Sequence, residues 1–272
     1  MTKEQLMTEE AFFKLKARRS LMRNAGKAAL NAVKVSLPFS AIFFSKELNA
    51  GINNSLISSL NFLLQIEYAQ LEFYKKATAS AAFNPEFSLI FNQIIQQQAS
   101  HIRFFETQLG PDKAIPPVFD FTGSKNFTIT PLFPDVFEKI DTLLIVAQAL
   151  EDAGVKGYKD IIGSITDKRL LSILLRMHSV ECRHSAMLRI LKNYNITTKL
   201  RVSQSGWTIP TEKNINSNIA EIYINEDSKL QSNITLTNIS SLKNLSPIII
   251  NEAFDEPLEV EKTSSFLKKF IY

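Results

Sequence analysis

One pattern of polar residues occurs twice in this chain, each time inside apolar helical stripes. A lone Glu on one stripe is followed, on the next, by a carboxamide or carboxylate three positions before a His. The first copy is Glu67, then Gln98 and His101; the second is Glu151, then Glu181 and His184. The interval from Glu to His is nearly the same in both. Residues i and i+3 share one face of an α-helix, so each Gln/Glu-His pair aims two polar side chains the same way. Such faces must meet, because a carboxylate buried without a partner costs several kcal/mol.

The stripes repeat at 3.6 residues and are too long for strands. The first covers 54–78, with Leu60, Leu63, Leu64, Leu71 and Tyr74 on the face of Glu67. The second covers 85–109 and sets Phe91, Ile94, Ile95, Ile102 and Phe105 around Gln98; Gly110-Pro111 stops it. The third covers 134–162, with Leu144, Ala147, Val155 and Tyr158 flanking Glu151. The fourth runs from Thr166-Asp167 to Asn193, with Leu174, Met177 and Leu188 around Glu181. Short turns join the first to the second and the third to the fourth, which predicts two antiparallel hairpins. The Pro- and Phe-rich segment 110–133 between them is long enough to run the length of a bundle. Two helical hairpins and one long crossover make the ferritin-like kind of four-helix bundle. The expected fold is therefore all-α, with the bundle over 51–200.

Two helices giving one Glu each and two giving Glu-x-x-His form the ligand set of di-iron and di-manganese bundles. Glu67, Gln98, His101, Glu151, Glu181 and His184 are thus the expected metal ligands. Three carboxylates in one core repel each other, and divalent cations relieve that repulsion along with the cost of burial. Carboxylates mixed with imidazole suit iron or manganese, one ion or two, with open positions for dioxygen or peroxide. Gln98 stands where the pattern has Glu, so three negative charges are supplied instead of four. This predicts one ion held well by Glu151, Glu181 and His184, a weaker position at Glu67 and His101, and a gain at the weaker position from Gln98→Glu.

The neighbours read more plainly. The chain has three His; the third, His178, is expected as a hydrogen-bonded core or supporting group. Tyr68, Tyr74 and Tyr158 default to packing, with redox activity or a hydrogen bond to a carboxylate as the alternatives. Cys182 is expected in the core and Glu72 on another face. Gly154 and Gly157 lower helix propensity, which points to another helix or the crossover passing close.

Composition narrows the class. The 272 residues carry 31 basic and 27 acidic groups, a net +4, without a dense basic run beyond 14–23, so nucleic acid is a poor partner. Twenty Phe and 45% hydrophobic residues suit a packed domain. One Cys excludes an internal disulfide framework. Within an N-terminal segment 1–50, Arg18-Arg19 precedes a mildly apolar stretch interrupted by Lys27 and Lys34, a pattern similar to a twin-arginine export signal. Its longest charge-free run, 35–45, is too short to span a bilayer, which takes about 20 residues. Export and retention in the cytoplasm both stay open, as does homo-oligomerisation. From 203 onward Asn, Ser and Ile dominate, and 201–272 is expected as an extension packed on the bundle, with strand-like stretches at 220–225 and 245–250 and a terminal helix over 262–272.

The chain resembles the ferritin-like proteins that include plant desiccation-related proteins and bacterial relatives. The matching blocks run 60–68 (LNFLLQIEY), 149–158 (ALEDAGVKGY), 101–104 (HIRF) and 180–184 (VECRH), and the tail from Ala253-Phe254-Asp255-Glu256-Pro257-Leu258 to Phe270-Ile271 is similar as well. The resemblance implies the bundle and its metal site, and a stress-related role, more than a reaction; no catalytic side chain is assigned. Two functions follow: a metal-dependent oxidoreductase or iron-handling protein, or a non-enzymatic protective or scaffold protein that has lost metals in part or whole.

Overall fold

The computed structural model describes residues 54–194, 214–224, most of 226–249, and 258–272, all within the unit 49–272. The N-terminal segment with Arg18-Arg19 lies outside the described residues, as does most of the strand-like stretch at 245–250. Among the described residues the chain forms five α-helices: α1 (Asn54–Thr78), α2 (Ser88–Leu109), α3 (Ile140–Ile162), α4 (Lys168–Tyr194) and α5 (Val260–Lys268). None of them is long and apolar enough to cross a membrane. α1 packs on α2 and α3 on α4, and α1 also lies along α3, so two hairpins build one bundle.

Local chemistry sets the ends of these helices. Asn84 Oδ1 accepts from Glu86 N at 3.0 Å, with Pro85 as the first residue of a short 3-10 turn that leads into α2. Gly110 closes α2 with φ of 54°, a left-handed conformation that favours glycine. Asp167 accepts from Leu170 N at 2.6 Å and caps α4, as the Thr166-Asp167 signal predicts.

The third helix starts later than its stripe suggests, at Ile140 rather than 134. Phe133, Val136 and Phe137 keep helical spacing, but Glu138 N and Lys139 N both turn back onto Asp135 O, at 3.0 and 2.9 Å. Lys139 is then extended, and Phe137 O accepts from Ala82 N of the α1–α2 turn. The extended backbone at Lys139, with Phe137 O drawn to the α1–α2 turn, breaks the helical path, so the crossover runs on to 139.

That crossover is tied down at several points. Asn61 on α1 donates to Asp112 O at 2.8 Å and accepts from Ala114 N at 2.6 Å. Farther on, Phe119 pairs with Ile271, and Asp120 N donates to Phe270 O at 2.8 Å. Phe121 stands edge-on to Phe73 at 5.1 Å and beside Phe270 at 5.6 Å, and Phe270 also packs on Phe133 and Phe266. A cluster of Phe rings thus closes the bundle with its own C-terminal segment.

α3 is buried nearly all round, from Leu143 to Tyr158. One side meets α1 and α4; another is covered by α5 and by the 3-10 turn Ala220–Tyr223. A helix so enclosed is expected to be apolar on every face, yet Gln148, Asp152 and Lys156 lie buried along one of them. The expected strand at 220–225 is thus a helical turn, and its Ile222 and Tyr223 are buried. The described strands are short, Leu230–Gln231 paired antiparallel with Ile234–Thr235.

Candidate metal centre

The four long helices bring Glu67 (α1), Gln98 and His101 (α2), Glu151 (α3), and Glu181 and His184 (α4) into the interior, and all six are buried. Ligand atoms of Glu67, His101 and Glu181 lie within 4.8 Å of one another, and so do those of Glu151, Glu181 and His184. Glu181 belongs to both groups. Gln98 borders them through Nε2, 3.3 Å from Glu181 Oε2.

Each histidine faces carboxylates. His101 Nδ1 is 3.2 Å from both Glu67 oxygens and 3.3 Å from Glu181 Oε1. Burial alone would lower its pKa; the Glu67 and Glu181 carboxylates outweigh burial and take it up to about 10. His184 differs, since burial takes it down to about 4 against the pull of Glu181. It is therefore neutral, and its tautomer is set from outside: Nε2 donates to Gln97 Oε1 at 2.6 Å. Nδ1 is left as a lone pair facing Glu151 Oε2 at 3.3 Å and Glu181 Oε1 at 3.8 Å.

The carboxyls are spread apart by the same forces. Burial raises Glu67 to about 7 despite His101. Burial, with Glu181 beside it, pushes Glu151 well up. Glu181 would also rise on burial, but the hydrogen bond and charge of His101, joined in acid by the charge of His184, hold it down at about 2. Gln98 Oε1 and Glu151 Oε1 are buried without a hydrogen-bond partner, while Glu181 Oε1 is paired with the His101 ring at 3.3 Å. Leaving a buried acceptor unsatisfied costs about 1–3 kcal/mol, more for a charged one. A cation among these oxygens and the His184 lone pair removes that penalty, so the donor set fits a metal ion.

The surrounding residues divide clearly. Tyr158 donates a short hydrogen bond to Glu67 Oε1, whereas Tyr68 donates to Glu106 at 2.9 Å, away from the centre. Tyr74 is fully buried, and burial with the Glu151 carboxylate pushes its hydroxyl well up. His178 and Cys182 are only half-buried and lie 3.8 Å apart (Nε2 to Sγ), outside both ligand groups, so neither is the core residue its stripe suggests. Glu72 is on another face, paired with Lys76 at 3.6 Å. The helix that passes close to the α3 glycines is α1: a Cβ on Gly154 would come 2.7 Å from Gln70 Nε2, and one on Gly157 would come 2.9 Å from Ile66 Cδ1.

Sequence reasoning misses two sets of residues. Gln70 is fully buried at the centre, with Nε2 donating to Glu181 Oε2 at 2.8 Å. Its position three after Glu67, level with a glycine three after Glu151, was a usable signal. The other set lies on the opposite side of α3. There Asp152 accepts from Arg189, Ser185 and Tyr223, while Lys156 pairs with Glu226. Burial would raise Asp152, but Arg189 outweighs it and holds the carboxyl low. These contacts join α3 and α4 to the extension. The i, i+4 spacing of Gln148, Asp152 and Lys156 looks like an ordinary solvated face.

Comparison with known proteins agrees with this geometry. The sequence model of the family described as ferritin-like domain matches residues 55–193, just over half of the 272-residue chain and the span from α1 to the end of α4. No curated protein matches the chain significantly. With its two packed helical hairpins and a buried carboxylate-histidine cluster, the chain belongs to the ferritin-like domain family.

Proposed function

We propose that the bundle core holds iron or manganese through Glu67, His101, Glu151, Glu181 and His184, with Gln98 as a neutral oxygen donor beside them, and that the protein acts on dioxygen or peroxide. The observation that carries this reading is His184 Nδ1. Its other nitrogen is committed to Gln97, so Nδ1 points a lone pair at two carboxylates. The raised Glu151 carboxyl answers that lone pair with its proton in the metal-free protein, and a cation takes the proton's place when an ion binds. Carboxylate with imidazole selects iron or manganese over softer metals.

A bound ion of this kind would supply electron exchange with an oxygen species. The chain's own residues prepare for it. Gln97 fixes the ring of His184, Tyr158 holds Glu67 through Oε1, and the apolar stripes keep water from the carboxylates. The test is metal analysis of the purified protein and of His184→Ala. Iron or manganese bound by the wild type and largely lost from the variant, with helical circular dichroism unchanged, supports the reading. The same stoichiometry in both overturns the ligand assignment.

A second reading, a protective or scaffold bundle without metals, is favoured by His101, which already pairs internally with Glu67. Wild-type protein that takes up no ion from added iron or manganese would select it.

A further inference from the structure

Gln70 and Gln98 lie side by side in the core, both fully buried, and the direction of each amide is forced. Gln70 Nε2 donates to Glu181 Oε2 at 2.8 Å and also lies 3.2 Å from Leu150 O and 3.3 Å from Glu151 Oε2. Reversing Gln70 would set its carbonyl oxygen against those acceptors. Its Oε1 therefore faces α2, where it accepts from Gln98 Nε2 at 2.9 Å. A carboxylate at 98 would meet that oxygen, and Glu181 Oε2 behind it, with no hydrogen to offer. Position 98 is neutral because Gln70 requires a donor there. Gly154 makes room for the arrangement, since a Cβ would come within 3.0 Å of Glu181 Oε2 as well as striking Gln70.

The pair divides the two oxygens of Glu181. Oε2 receives amide hydrogens from Gln70 and, at 3.3 Å, from Gln98. Oε1 is left to the histidines, 3.3 Å from His101 Nδ1 and 3.8 Å from His184 Nδ1. One oxygen is thus reserved for structure and the other faces both histidines. Two dications in adjacent positions, roughly 3.5–4 Å apart in paired sites, repel strongly in a buried core. Here an amide stands where a second bridging carboxylate would offset that repulsion.

We propose that Gln70 sets the ion stoichiometry of this centre: it ties up Glu181 Oε2 and dictates an amide at position 98, so that the site takes a single ion, which would use Glu181 Oε1. The inference rests on the metal reading above and deepens it. It also changes what the sequence suggests, because Gln98→Glu alone cannot build a second position while Gln70 stands.

The test counts Mn(II) per full-length chain by anaerobic titration calorimetry and by elemental analysis after gel filtration. Wild type, Gln98→Glu, and Gln98→Glu combined with Gln70→Leu are compared, each checked for helical circular dichroism. The expected counts are one, one and two. Two ions in wild type, or two in Gln98→Glu alone, overturn the role of Gln70 and leave the metal reading intact. A double variant that stays at one overturns it too, and Gln70→Ala replaces Gln70→Leu if the latter unfolds the bundle. No ion in wild type overturns the metal reading itself, and this inference with it.

Discussion

Arg189 on α4 grips Asp152 on α3 with both ends of its guanidinium, Nη1 at 2.9 Å from Oδ1 and Nη2 at 2.7 Å from Oδ2. Both residues are buried, and Asp152 also accepts from Tyr223 of the extension at 2.8 Å. Removing one member of such a pair strands the other charge away from water. Arg189→Met is expected to cost about 3–5 kcal/mol in urea unfolding. Adding Asp152→Leu should recover a large part of that loss, since an apolar pair of similar size leaves no charge stranded. If Arg189→Met costs under ~1 kcal/mol, the pair is behaving like a solvated surface bridge.

Gly154→Ala should destabilise in spite of its better helix propensity. The substitution gains roughly 1 kcal/mol locally, but its Cβ would lie 2.7 Å from Gln70 Nε2 and 3.0 Å from Glu181 Oε2. Gln70 must then give up hydrogen bonds in the core, for a net loss of about 1–3 kcal/mol. Thermal melting of apo protein is the check. A raised Tm would mean that Gln70 moves aside without penalty.

Gln97 touches no proposed ligand oxygen, yet it holds the tautomer of His184. Partners of this kind typically cost about 10–100-fold in metal affinity when removed. Gln97→Leu is therefore expected to weaken the bound ion by that factor in a chelator competition, with the melt unchanged because the residue is only half-buried. Unaltered affinity would show that His184 holds its orientation by packing alone.

Acid should loosen the crossover through Asp120. Burial would raise its carboxyl, but hydrogen bonds from Ser124 and Thr122 and from the backbone of Asn126 outweigh it and lower the pKa. A depressed carboxyl contributes stability that is present above its unfolded value, about 3.9, and lost as the pH falls through the folded value. Asp120→Asn should cost about 1 kcal/mol at neutral pH, an allowance made for partial exposure. It should also flatten the decline of stability below about pH 4. Parallel acid limbs for wild type and variant would assign that decline to other carboxyls.

The legible part of this molecule is periodic. Glu67, His101, Glu151, Glu181 and His184 could be placed because each sits inside an apolar stripe, where a polar residue stands out against its neighbours. Gln70 sits in the same stripe as Glu67, but an uncharged carboxamide carries little cost that a reader of sequence can see. Asp152, Lys156 and Arg189 hide for a different reason. Charged residues at helical spacing normally face water, and it is Tyr223 and Glu226 of the extension, meeting Asp152 and Lys156, that turn that face inward. The start of α3 departs from its stripe because apolar spacing survives where the Phe137 carbonyl accepts from the α1–α2 turn, and the turn at Tyr223 departs from a strand because its backbone bonds are local, Ile222 N to Ile219 O at 3.0 Å.

The aromatic closure at the crossover has a consequence for how the protein is made. Phe121 waits for Phe270 and Phe119 for Ile271, roughly 150 residues farther along; at about 5–20 residues per second, translation takes roughly 8–30 s to deliver them. Once α4 is complete at Tyr194, both hairpins can exist while the rings at one end of the bundle lack their cover. A nascent chain stalled shortly before Phe266 should therefore expose a sticky aromatic surface that the released protein never shows.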